Sequence, residues 1–156
     1  PGETPIDLAN RLARTKAEVI ARRHPNSVVV GSDQVALWGK EVFGKPGNPE
    51  RCIEQLRRLS GQRLAFYTAV NVIHSDTGSN ESHLDITTVY FRKLTDQEIE
   101  RYVARERPVN CAGAFKAESL GIALFERIES NDPTGLIGLP LIWLAGALRR
   151  AGFSVP

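Results

Sequence analysis

Apolar residues recur along this chain at spacings near 3.6 in some stretches and near 2 in others, and the switches between the two mark out its elements. Thr4-Pro5 is a helix start, a hydroxyl N-cap with proline in the first turn. The helix it opens places Ala9, Leu12, Ala13, Val19 and Ile20 on one face and runs to about His24, where Pro25 stops it. Val28-Val29-Val30 reads as a strand buried on both faces. Gly39-Lys40 then turns residues 35–38 back on residues 41–43 as a tight hairpin. Asn48-Pro49 caps a second helix, which carries Cys52, Ile53, Leu56 and Leu59 on one side and ends at Ser60-Gly61. Residues 64–73 and 84–94 read as two long antiparallel strands joined by the polar loop 75–83. Thr95-Asp96-Gln97-Glu98 is a capping box, predicting a helix with Ile99, Tyr102 and Val103 inward. Residues 120–128 read as a further strand, Asn131-Asp132-Pro133 and Gly138-Leu139-Pro140 as turns, and about 141–150 as a last helix. Strands and helices in this order predict the α/β class with at least one antiparallel section.

Composition narrows the picture mainly by exclusion. The 156 residues suit one domain with a sizeable core, and the fractions of hydrophobic (42%) and charged (24%) residues are those of an ordinary globular chain. The most apolar run, 136–148, is interrupted by Gly138, Pro140 and Gly146 and is too short to span a bilayer, so no membrane partner is expected. A net charge of +2, with basic residues scattered as Arg22-Arg23, Arg57-Arg58 and Arg149-Arg150, does not argue for nucleic acid. Cys52 and Cys111 form no C-x-x-C pair, which predicts reduced thiols and a cytoplasmic protein. His24, His74 and His83 lack the spacing of a zinc site.

Charge inside apolar pattern is where chemistry enters. Asp33-Gln34 sits between two apolar runs, where an uncompensated carboxylate costs several kcal/mol. Asp33 is therefore either held there by donors or a cation, or kept there for work. Lys16 is a lone ammonium in the apolar stripe of the first helix; it either snorkels at the edge or emerges to meet an anion. Gly44-Lys45-Pro46 is a Gly-rich loop with a cation, and Cys111-Ala112-Gly113-Ala114-Phe115-Lys116-Ala117-Glu118 pairs small residues with a Lys and a Glu. A carboxylate, several ammonium groups and a Gly-rich loop are what hydrolysis of a phosphoanhydride needs: cations hold the oligophosphate, and a carboxylate orients a divalent ion or takes a proton from water. Glu118 would repel phosphates and suits the base end of a nucleotide, where guanine offers N–H donors. Each signal has a plainer reading: an Asp after a strand is commonly a turn residue, and Glu118 a solvated charge. G-x-x-x-x-G-K-[ST] is absent, which argues against a P-loop ATPase.

Taken in order, Gly31-Ser32-Asp33-Gln34-Val35, Gly44-Lys45-Pro46, Leu59-Ser60-Gly61 with Phe66-Tyr67-Thr68, the Cys111–Glu118 stretch and Gly138-Leu139-Pro140 resemble the Maf family of nucleoside triphosphate pyrophosphatases, related in fold to the inosine triphosphatases. The resemblance covers essentially all of residues 1–156 and implies a single domain: an α/β fold with a twisted mixed sheet flanked by helices. It implies Asp33 as proton acceptor and metal anchor, Lys16 and Lys45 as phosphate-binding lysines, and Gln34 and Glu118 as the residues that set substrate choice. Asp33-Gln34 and Phe115-Lys116-Ala117-Glu118 resemble the branch assigned to 7-methyl-GTP rather than to dTTP or UTP. The family also implies a divalent cation, Mg²⁺ or Mn²⁺, a nucleoside triphosphate partner and a homodimer. The family's opening strand and Ser-x-Ser-Pro-Arg-Arg loop are not in this sequence, so an N-terminal piece is expected to have been left out. Two alternatives stand beside this reading: the same reaction on dTTP, UTP or another modified nucleotide, and a catalytically impaired nucleotide-binding remnant.

Overall fold

The computed structural model describes residues 2–156. Among the described residues four α-helices, α1 (Pro5–Ala21), α2 (Pro49–Leu59), α3 (Asp96–Glu106) and α4 (Leu141–Arg150), accompany five strands, β1 (Val28–Trp38), β2 (Glu41–Val42), β3 (Arg63–His74), β4 (Asn80–Phe91) and β5 (Phe125–Ser130). The strands form one sheet in the order β2-β1-β3-β4-β5. β1 and β2 pair antiparallel with Leu37 opposite Val42, around the left-handed Gly39, as the hairpin reading requires. β4 and β5 are also antiparallel, with an irregularity between Tyr90 and Phe91. The α/β class expected from the sequence is the class observed.

Each helix forms for the local reason its sequence announces. Thr4 accepts from the Asp7 N–H and Asn48 from the Arg51 N–H, each with proline in the first turn behind it. Thr95 and Glu98 exchange both bonds of a capping box. Glu98 is held down to about 2 by the Thr95 N–H, the Arg92 guanidinium and the Thr95 hydroxyl.

The chain divides into two compact units. One comprises the chain up to Gln34, Tyr67–Ile86 and Asn131–Pro156; the other comprises Val35–Phe66 and Thr87–Ser130. In the first, Ala17, Val29 and Ile73 form one buried cluster with α1. Val70, Val72, Leu144 and Ala147 form another with α4. In the second, α2 packs against α3. Phe66, Phe91, Phe115 and Phe125 build an edge-to-face aromatic cluster with centroids 4.8 to 5.7 Å apart.

Four expectations are corrected. The stripe of α1 that is buried is Ala9, Ala13 and Ala17, while Val19 and Ile20 are exposed. Val28–Val30 is not buried on both faces, because Val30 is exposed. β4 starts at Asn80, earlier than the apolar pattern indicates, because Asn80, the Glu81 carbonyl and Ser82 all accept from the buried Asn71 amide. Residues 120–124 are a 3-10 turn rather than strand. Gly121 there passes so close to Lys116 that a Cβ would lie 2.2 Å from the Lys116 carbonyl oxygen.

Candidate active site

In the first unit the site begins with a close approach. A Cβ on Gly31 would sit 2.2 Å from the Ala13 carbonyl oxygen and 2.7 Å from the Ala17 nitrogen. Only glycine on the strand facing alanines on the helix lets α1 lie this near β1. Lys16, next to Ala17, then reaches the strand: its ammonium donates to the Asp33 carboxylate at 2.7 Å and to the Ser32 carbonyl at 2.9 Å. The contact joins the two residues and leaves Asp33 available for chemistry. The anion that Lys16 meets is Asp33, and Asp33 is held by a cation. An ammonium has three donors, and two are engaged here, leaving the third for a further acceptor.

Strand alternation separates the two neighbours of the Asp33-Gln34 pair. Val29, Gly31 and Asp33 face α1. Ser32 and Gln34 face the other way, toward the 3-10 turn Gly135–Ile137 that precedes α4. The Ser32 hydroxyl donates to the Gly138 carbonyl at 2.7 Å. The Gln34 amide nitrogen donates to the Thr68 hydroxyl at 2.8 Å and to the carbonyls of Gly135 and Leu136, both at 3.2 Å. Thr68 is buried and passes its own proton to the Gly135 carbonyl at 2.9 Å. Asp132 anchors the same turn by accepting from the Thr134 N–H and hydroxyl and from the Ile142 N–H. Burial would raise the Asp132 carboxyl, but the Thr134 hydroxyl and the N–H groups of Thr134, Ile142 and Trp143 outweigh it and hold the group below the ordinary carboxylate range. A groove of about 540 Å³ runs beside this turn, lined by Val30, Ser32, Ile137, Leu139 and Leu141 among others.

In the second unit Lys45 is exposed on the Gly44–Gly47 loop. That loop is tied down by Gln55, which donates to the Gly44 carbonyl at 3.2 Å, and by the Gly47 N–H on the Val109 carbonyl at 2.8 Å. The stretch 111–118 turns sharply at Gly113 and Ala114, both left-handed, and buries Phe115 in the aromatic cluster. The Tyr102 hydroxyl accepts from the Lys116 N–H at 3.0 Å, and the Lys116 ammonium lies 3.4 Å from the Glu106 carbonyl. Burial pushes the Cys111 thiol up; it also feels Lys116 and Lys45 on one side and Glu118 and Glu106 on the other. Lys45 and Glu118 are thus brought into one charged surround, with Glu118 exposed. Cys52 and Cys111 are both free thiols.

The predicted residues therefore fall into two groups, Lys16-Asp33-Gln34 in one unit and Lys45-Glu118 in the other. Thr68, Ser32 and Asp132 were not singled out for a role by the sequence. Thr68 was visible as a Thr inside the apolar run 64–73 and as part of Phe66-Tyr67-Thr68, but neither sign pointed to a contact with Gln34. Among the described residues no three His, Cys, Asp or Glu side chains converge as a metal cage. A carboxylate such as Asp33 is the type of oxygen ligand that a divalent ion such as Mg²⁺ takes.

A family model described as "Maf-like protein" matches residues 1–151. A Xanthomonas campestris protein named 7-methyl-GTP pyrophosphatase is 54% identical over 156 residues, covering 100% of this chain and 81% of that one. Proteins of the same name from Aromatoleum aromaticum and Pseudomonas putida are 49% and 48% identical, covering 100% and 99% of this chain and 80% and 81% of theirs.

Proposed function

The chain belongs to the Maf-like family, and on that premise we propose that it is a nucleotide pyrophosphatase that hydrolyses 7-methyl-GTP to 7-methyl-GMP and pyrophosphate. The observation that carries the reading is identity near 50% over essentially the whole chain to proteins of that name. The ion pair of Lys16 with Asp33 supports it, since it sets a carboxylate beside an ammonium that still has a donor to give.

In the reaction, water adds at phosphorus, the α–β P–O bond breaks, and the proton of the water passes to the Asp33 carboxylate. Lys16 orients that carboxylate and offers its remaining donor to a phosphate oxygen. Lys45, on a loop held at Gly44 and Gly47, offsets phosphate charge. Asp33 would also hold the divalent cation, Mg²⁺ or Mn²⁺, whose chemistry is to neutralise charge on the phosphates. Glu118 reads the base: a carboxylate opposite a cationic 7-methylguanine gains Coulomb attraction as well as hydrogen bonds. Gln34 contributes to the same choice. No described helix is long and apolar enough to cross a membrane. A cytoplasmic location and a homodimer are part of the same proposal, drawn from the free thiols and the family.

Pyrophosphate release from a panel of nucleotides with Mg²⁺ or Mn²⁺ tests this. The parent is expected to turn over 7-methyl-GTP best. Asp33→Asn should lose at least about 100-fold in kcat, within the range for removal of a general base. Glu118→Gln should weaken 7-methyl-GTP turnover more than that of dTTP or UTP. An Asp33→Asn protein as active as the parent, or a parent that prefers a pyrimidine, overturns the reading.

A further inference from the structure

Gln34 is unusual in how completely one half of its side chain is engaged. Three acceptors surround its amide nitrogen: the Thr68 hydroxyl at 2.8 Å and the Gly135 and Leu136 carbonyls at 3.2 Å. Two of these are carbonyl oxygens, which cannot donate, so only the NH₂ end of the amide can face them. The third could in principle donate to Gln34, but Thr68 gives its proton to the Gly135 carbonyl at 2.9 Å and therefore presents a lone pair. Thr68 is 1% exposed, so this hydroxyl has no water to turn to instead. The carbonyl Oε1 is what position 34 has left for a ligand.

We propose that Thr68 is a positioning residue that fixes the amide of Gln34, so that this position selects the nucleotide base as a hydrogen-bond acceptor only. The inference rests on the proposed role of Gln34 in substrate choice. A fixed acceptor favours a base edge with adjacent N–H donors, as guanine has at N1 and N2, over one whose single N–H lies between two carbonyls, as in uracil. Strand alternation puts Gln34 on the face of β1 away from Asp33 and Lys16. Disturbing Thr68 therefore acts on selection and leaves the chemistry at Asp33 in place. Thr68 makes the shortest of the three bonds to the amide and also holds the Gly135 carbonyl, so its hydroxyl ties both Gln34 and one of the other acceptors.

Two readouts test this on Thr68→Val, which keeps the shape and removes the hydroxyl, and on Thr68→Ser, which restores it. Solvent exchange of the Gln34 side-chain NH₂, followed by NMR, is expected to be slow in the parent and in Thr68→Ser, and fast in Thr68→Val. The ratio of kcat/KM for 7-methyl-GTP to that for UTP is expected to fall up to about tenfold in Thr68→Val, the scale of one hydrogen bond, through KM and with kcat within about twofold. Thr68→Ser should recover it. Equal losses on both nucleotides carried by kcat would show a merely structural role and overturn the proposal, as would a Gln34 amide that stays protected in Thr68→Val. If the parent prefers another nucleotide, the proposed substrate fails, while the amide exchange still decides the lock separately. Should Thr68→Val not fold, Thr68→Ala, which also removes the hydroxyl, replaces it in both arms, and a protected Gln34 amide or selectivity equal to the parent would overturn the proposal.

Discussion

At the scale of single residues, the candidate site depends on atoms that are absent as much as on those present. Gly31 has no side chain to place between β1 and the Ala13-Ala17 ridge of α1. A methyl group there would overlap backbone rather than a flexible side chain, so strand and helix must part. Gly31→Ala is expected to cost about 1–3 kcal/mol, the range for overpacking a filled interior. At about 2–4 °C per kcal/mol for a chain of this size, the melting temperature should fall by several degrees. Turnover should fall as well, because Lys16 reaches Asp33 only while α1 lies close. Thermal unfolding alongside steady-state rates checks both; a variant with the parent's melting point would show that α1 does not need the close approach. The sequence made Asp33 and Lys16 conspicuous as charges in apolar company. That they are each other's partner could not be read from it, because the contact spans helix and strand.

At the scale of elements, the turn before α4 is held by a carboxylate in place of an N-cap at the usual position. Pro140 occupies the N-cap and makes no side-chain bond, and Asp132 and Thr134 accept from Ile142 and Leu141 instead. Asp132→Asn keeps the shape and removes the charge, and should cost about 1 kcal/mol near neutral pH, the usual scale for a helix cap. The sign of its pH dependence follows from the lowered Asp132 carboxyl. The unfolded chain titrates near 3.9, so the stabilisation is complete above that value and is lost as pH falls through the lower, folded one. The stability gap between parent and Asp132→Asn should therefore be constant above about pH 5 and close below about pH 4. Chemical denaturation at stepped pH checks it, and a gap that widens in acid would refute the assignment. Capped helices such as α2 and α3 were legible because their signals lie within four residues. The 3-10 turn at 120–124 was not, since its apolar run suits strand equally and only the approach of Gly121 to Lys116 decides against it.

At the scale of the whole molecule, the proposed homodimer has a stretch of surface to draw on. Leu144 and Ala147 are buried in the core, while Ile137, Leu141 and Ile142 of the same apolar run are 62%, 49% and 64% exposed. Apolar side chains left exposed in this way are the kind that a subunit contact would cover. Ile142→Glu is expected to shift the protein from dimer to monomer in size-exclusion chromatography with light scattering, with little change in melting temperature at low concentration; an unchanged mass excludes this surface from the interface. The sequence by itself determined the helices, the two hairpins, the α/β class and the set of charged residues worth asking about. These follow from periodicity, capping and turn chemistry, which act over a few residues. Only the tertiary structure decided that Gln34 meets Thr68 and the Gly135 carbonyl, across separations of 34 and 101 residues. It likewise decided which face of β1 each of Asp33 and Gln34 occupies. Those contacts depend on how strands pair and helices dock, and chain-local pattern carries no term for either.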